Sequence, residues 1–144
     1  MILPDVNVLV FAFRREAAGH DRYAAWLTEL VGGGDELALH EAPLAAFVRI
    51  VTNARIFAQP APTSAALDFV NRLVAAPRGR WLSAAAPAWA RFDRLLREDP
   101  AIRANLVPDA LLAALALAHG ARLATADRGF ARYPGLAWFD PATA

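Results

Sequence analysis

The chain has 144 residues, 57% of them hydrophobic, with no cysteine and a formal net charge of +1. That length suits one domain with a single core, the missing cysteine excludes disulfides and thiolate metal sites, and the near-neutral charge excludes a uniformly basic nucleic-acid coat. All 15 basic residues are arginine, so no mechanism that needs a lysine is available, while forked contacts to phosphate stay open.

Residues 1–4 read as a short buried strand ending at Asp5, and Val6–Phe13 continues as a helix. Residues 20–31 place Tyr23, Trp26, Leu27, Leu30 and Val31 at spacings of three and four, an amphipathic helix that Gly32, Gly33 and Gly34 end. Residues 36–40 form a second strand. Pro43 suits the first turn of a helix reaching Thr52 or Asn53. Thr63 or Ser64 caps another helix, with Leu67, Val70 and Val74 expected on one face and Pro77 beyond its end. Residues 80–82 make a weak strand or turn. Residues 87–97 are helical, with Trp89, Phe92 and Leu96 expected inward. Val107–His119 has the strongest helical signature: Pro108 at its first position, Asp109 in its first turn and Gly120 as its stop. Residues 122–125 are a strand ending near Asp127, and residues 137–139 a short last strand. No repeat or low-complexity segment interrupts the series. No apolar run is long enough to span a bilayer, and no basic, apolar leader opens it. A single cytoplasmic domain over residues 1–144 is expected.

Short apolar strands alternating with amphipathic helices specify an α/β fold, a parallel sheet covered by helices on both faces. Such sheets bind ligands outside the carboxyl ends of their strands, near a topological switch point. Asp5 follows the first strand, Asp127 follows the strand over 122–125, and Asp109 opens the helix leading into that strand. Each has an ordinary reading: a turn at Asp5, a helix-dipole charge at Asp109, a turn or N-cap at Asp127. Together, three carboxylates at one sheet edge repel one another unless a cation is present. Without histidine or cysteine among them they favour a hard ion, Mg²⁺ or Mn²⁺, which keeps waters that can act as nucleophiles.

Three stretches carry a resemblance: Pro4-Asp5-Val6-Asn7-Val8-Leu9-Val10, Val107-Pro108-Asp109-Ala110-Leu111-Leu112-Ala113-Ala114-Leu115-Ala116, and Leu123-Ala124-Thr125-Ala126-Asp127-Arg128-Gly129-Phe130. In order and spacing they resemble the PIN-domain ribonucleases, in particular the VapC-type toxins. Phe47-Val48-Arg49-Ile50-Val51-Thr52-Asn53 resembles a stretch common in one branch of that family. The resemblance covers essentially the whole chain. It implies a three-layer α/β/α sandwich with a four- or five-stranded parallel sheet, metal-dependent cleavage of RNA, a homodimer, and inhibition by a small cognate antitoxin. It also implies Asp5 and Asp109 as the main metal ligands, with Asp127 completing the acidic cluster directly or through water. Asn7 and Thr125 would orient the carboxylates. A local helix or turn bond accounts equally for Asn7, and an ordinary strand end accounts for Thr125.

One departure from the family stands out. Its usual Glu, in the helix after the second strand, falls on Ala46. Glu41, the nearest acid, either reaches the same pocket from another backbone position or remains a solvated charge at the helix start. Arg49 and Arg128, inside family-like stretches, lead the candidates for RNA contact, followed by Arg14, Arg15 and Arg55; a surface or ion-paired role competes for each. Trp26, Trp81, Trp89 and Trp138 suit the core better than base stacking. His20 suits a cap or surface position, and His119 the helix dipole. The implied hydrolysis leaves 5′-phosphate and 3′-hydroxyl ends, with Asp127 orienting the water or accepting its proton.

A haloacid-dehalogenase-type phosphatase is disfavoured, because Asn7 stands where a second Asp is needed and its typical late lysine is missing. A dinucleotide-binding domain lacks its glycine-rich turn. The remaining alternative is a PIN fold kept as a catalytically weak or inactive binding module, which the missing Glu favours.

Overall fold

The computed structural model describes residues 1–144. Five strands, β1 (Ile2–Pro4), β2 (Leu37–Leu39), β3 (Gly79–Trp81), β4 (Arg122–Ala124) and β5 (Trp138–Phe139), form one parallel sheet in the order β3-β2-β1-β4-β5. Six α-helices connect and cover them: α1 (Val6–Phe13), α2 (His20–Glu29), α3 (Glu41–Val51), α4 (Thr63–Val74), α5 (Ala86–Glu98) and α6 (Val107–His119).

Successive strand residues point to opposite faces, and here they divide the interior into two cores. Ile2, Leu37, Leu39 and Ala124 pack with Leu9, Leu27, Phe47 and Leu73 from α1, α2, α3 and α4. Leu3, Ala38 and Leu123 pack with Leu95, Ala113 and Leu115 from α5 and α6. The result is the expected three-layer sandwich, with the central strands β1, β2 and β4 largely buried and the edge strands β3 and β5 partly open.

Local signals account for the element ends. Pro108 lies in the first turn of α6, and Gly120 closes that helix in the left-handed region at φ 64°. Beyond α2 the chain continues in a wider turn over Leu30–Gly34, where Gly33 takes φ 98°. α3 starts at Glu41, so Pro43 falls inside its first turn, where a missing N–H costs nothing.

Two expected faces are corrected. In α4 the buried residues are Ala66, Phe69, Val70 and Leu73, while Leu67 and Val74 are 46% and 38% exposed. Phe69 decides the rotation: its ring stacks on Phe47 at 4.7 Å and meets Phe13 edge-on at 5.2 Å. In α5 the small Ala88 and Leu95 are buried against the alanine-rich surface of α6, and Phe92 and Leu96 are half-buried. Trp89 stands outside at 60% exposure, as does Trp81 on the edge strand at 51%. Trp26 and Trp138 are half-buried and pack against the two cores, so the core role expected of the tryptophans holds in part for these two and fails for Trp81 and Trp89.

Candidate functional site

From β1 the chain winds outward to β2 and β3, then crosses back to β4 on the other side of β1. The winding therefore reverses between β1 and β4, where a crevice opens at the strand ends. Pro4 pairs with Ala124 in register, so Asp5 and Thr125 leave the sheet side by side.

Asp5 is 5% exposed. Its Oδ1 accepts the N–H of Val6 at 2.7 Å, which caps α1. Its Oδ2 accepts the Asn7 amide at 2.9 Å and the Thr125 hydroxyl at 2.8 Å. The Asn7 carbonyl oxygen accepts the N–H of Ala126 at 3.2 Å, and Thr125 Oγ1 accepts the N–H of Asp127 at 3.1 Å. Both neighbours thus touch the carboxylate, and the bond from Thr125 spans two strands rather than serving only a strand end. Burial pushes the Asp5 carboxyl up from its ordinary value. The hydroxyl of Thr125, the N–H of Val6 and the amide of Asn7 pull it down, and the charge of Asp127 pushes it up further.

Asp109 lies in the first turn of α6 and lines, with Asp5, a cavity of about 110 Å³. Its carboxyl is pushed up to about 6 by burial and then by the charges of Asp5 and Asp127, against the opposing pull of Arg132. Asp127 is exposed, starts the turn Arg128–Arg132, and accepts the N–H of Gly129 at 2.7 Å. It does not line the cavity and acts on the two other carboxylates through its charge. Glu41 does not line the cavity either: it is exposed in the first turn of α3 and pairs with His40 at 3.1 Å. Ala46 does line it, so the position matching the family Glu faces the crevice with a methyl group.

Two carboxyls raised by burial and by neighbouring carboxylate charge are a donor set that suits a divalent cation. No group of three His, Asp or Glu side chains is arranged to hold a metal ion. Asp5 and Asp109 line the cavity and Asp127 lies outside its lining, so of the two routes expected for Asp127, direct contact or contact through water, the second suits its position better.

Among the arginine candidates, Arg128 is exposed beside Asp127. Arg49 is exposed in the last turn of α3, about 12 Å along the helix axis from Glu41 at 1.5 Å per residue. Arg15 and Arg55 are exposed. Arg14 is engaged structurally, by Glu16, the Gln59 carbonyl and the Phe57 ring. His20 bonds the Phe11 carbonyl through Nδ1 at 2.9 Å, and His119 bonds that of Ser83 through Nε2 at 3.0 Å.

Three residues near the carboxylates escaped the sequence reading. His40 lines the cavity, and Arg132 acts on Asp109. Tyr133 is 3% exposed with its hydroxyl unpartnered, and is pushed up to about 12 by burial and then by Asp109. Of these only His40 carried a signal, its place just after a strand at the same sheet edge.

The profile described as PIN domain matches residues 2–136. A VapC ribonuclease of Mycobacterium bovis is 40% identical over 141 residues, covering 98% of this chain and 95% of the relative. Ribonuclease VapC33 of Mycobacterium tuberculosis is 33% identical over 141 residues, covering 98% of each. Among solved structures, a chain from VapBC2 of Rickettsia felis, bound to a DNA fragment from its promoter, aligns with a TM-score of 0.70 at 22% identity, covering 97% of this chain and 98% of that one. A chain from FitAcB of Neisseria gonorrhoeae aligns with a TM-score of 0.65 at 23% identity, covering 98% of both. At those identities the structural likeness concerns the fold.

Proposed function

The chain belongs to the PIN-domain family, and from that premise we infer that it is a metal-dependent endoribonuclease and the toxin of a toxin–antitoxin pair. The observation that carries the reading is the pairing of Asp5 and Asp109 around one cavity at the switch point of the sheet. Relatives covering nearly the whole chain are named ribonucleases, which supports RNA as the substrate. The fold neighbours come from VapBC2 and FitAcB, which supports a small antitoxin as partner. A homodimer and a cytoplasmic location complete the proposal; no helix is long and apolar enough to cross a membrane.

Asp5 and Asp109 would hold Mg²⁺ or Mn²⁺, which when bound polarises a phosphoryl oxygen and lowers the pKa of a bound water. The chain's own contribution is positional. Thr125, Asn7 and the start of α1 hold the Asp5 carboxylate in one orientation. The apolar wall of Pro43, Ala46, Leu111 and Leu112 limits water in the crevice. Arg128 and Arg132, on the turn after Asp127, supply positive charge toward a phosphate backbone. Arg49 is the second contact expected for RNA, farther along α3.

The test is sequencing of RNA ends after induced expression, comparing the native chain with Asp109→Asn. New 5′-phosphate ends that depend on Asp109 support the reading; identical end profiles reject it.

A second reading, a PIN fold that binds without cleaving, draws on Ala46 and on the absence of a three-ligand group. A thermal melt with and without Mn²⁺ separates the two, because a cation that binds the folded state raises the midpoint.

A further inference from the structure

The crevice that holds Asp5 and Asp109 has a further polar wall that the reading above leaves unused. His40 follows β2 at the same sheet edge and lines the cavity, with its side chain only 12% exposed. Its Nδ1 lies 3.3 Å from the Leu82 carbonyl oxygen and 3.1 Å from Glu41 Oε2. A carbonyl and a carboxylate are acceptors, so the neutral ring carries its proton on Nδ1 and keeps the lone pair on Nε2. The ring's hydrogen bonding within the protein runs through Nδ1 alone, which leaves Nε2 for a ligand. Ala46 contributes no polar atom to that wall, and Asp127, the sequence's choice for handling water, does not line the cavity.

We propose that His40 is a further catalytic residue, whose Nε2 accepts a hydrogen bond from the attacking water in the Asp5–Asp109 cavity while Glu41 and the Leu82 carbonyl fix the ring. The proposal rests on the nuclease reading. In the reaction the water oxygen bonds to phosphorus and the P–O3′ bond breaks, its electron pair going to the 3′ oxygen. The proton that water loses and the proton that the 3′ oxygen gains are exchanged with solvent. His40 sets the direction of attack. Glu41 then serves the site from outside the cavity, through the ring, which reconciles its exposure with the role expected of the nearest acid to Ala46.

The experiment uses the full chain loaded with Mn²⁺ and single-stranded RNA oligonucleotides. His40→Ala is expected to lower kcat on the order of 10²-fold, the cost of a misplaced reactant, with KM and the Mn²⁺-induced rise in melting midpoint unchanged. His40→Gln, whose amide oxygen also accepts a hydrogen bond, is expected to recover part of the loss. Independently of turnover, nitrogen-detected NMR of the metal-free native chain is expected to place the His40 ring proton on Nδ1. An unchanged kcat in His40→Ala overturns the proposal. So does loss of the Mn²⁺ shift in that variant, which makes His40 a metal ligand, or a ring proton found on Nε2. Failure of the nuclease reading looks different: the native chain and Asp109→Asn then leave RNA equally intact, and the catalytic role of His40 falls with it.

Discussion

The Thr125 hydroxyl donates to Asp5 Oδ2 at 2.8 Å across 120 positions of sequence. Thr125 Oγ1 also accepts from the Asp127 backbone N–H and lies 3.1 Å from the Asn7 amide nitrogen. One fully buried hydroxyl thus ties the ends of β1 and β4 to the turn that carries Asp127. Its position couples the two strand ends at the switch point through side-chain hydrogen bonds.

Thr125→Val keeps the shape and removes that hydroxyl. The variant is expected to lose about 1–3 kcal/mol, the cost of leaving buried polar partners unsatisfied, and to push the Asp5 carboxyl higher still. Thr125→Ser retains most of both properties. Urea denaturation and carboxyl-detected NMR titration measure the two effects.

Asp109 is raised to about 6, and Asp5 is raised as well, from the ordinary aspartate value of 3.8. The folded state therefore holds these protons at pH values where the unfolded chain has released them. Their contribution to stability is present at low pH and declines as pH rises from about 4 through about 6. Half exposure of Asp109 keeps the effect modest through solvent screening. In metal-free melts, Asp109→Asn should show less of this decline than the native chain. Mn²⁺ should stabilise the native chain chiefly at the high-pH end, and an identical pH profile for the two proteins would contradict the electrostatic account.

Ala46→Glu places a third carboxylate on the cavity wall. The metal-free variant should melt lower than the native chain, because another like charge enters a partly desolvated site. Its midpoint should rise further on adding Mn²⁺, reflecting tighter binding by the folded state. Calorimetric titration with Mn²⁺ provides the matching affinity; no gain would show that this wall does not face the cation.

The rotation of α4 predicts unequal costs for two leucines six positions apart. Leu73, 2% exposed, should cost about 2–5 kcal/mol when cut to alanine. Leu67, 46% exposed, should change stability by about 0.5 kcal/mol or less. Chemical denaturation of the two variants decides between the observed face and the one that spacing suggested.

Much of the architecture was legible before folding because it depends on short-range rules. Val6–Phe13 and Val107–His119 were readable to their ends, since Asp5, Pro108 and Gly120 act on neighbouring backbone groups. The parallel sheet followed from apolar strands alternating with helices, and the convergence of Asp5, Asp109 and Asp127 on one edge followed from their places at element ends.

What spacing could not decide was which of two apolar stripes α4 buries, or that Trp89 lies outside. Both depend on the shape of a partner distant in sequence: the Phe47 ring for α4 and the alanine surface of α6 for α5. The division of labour among the acids is tertiary in the same sense. Asp5 and Asp109 enter one cavity, Asp127 stays outside it, and His40 takes a wall that no helical or strand period marks. Periodicity reports where along an element a side chain points, whereas burial, charge and hydrogen bonding depend on what the rest of the chain brings to meet it.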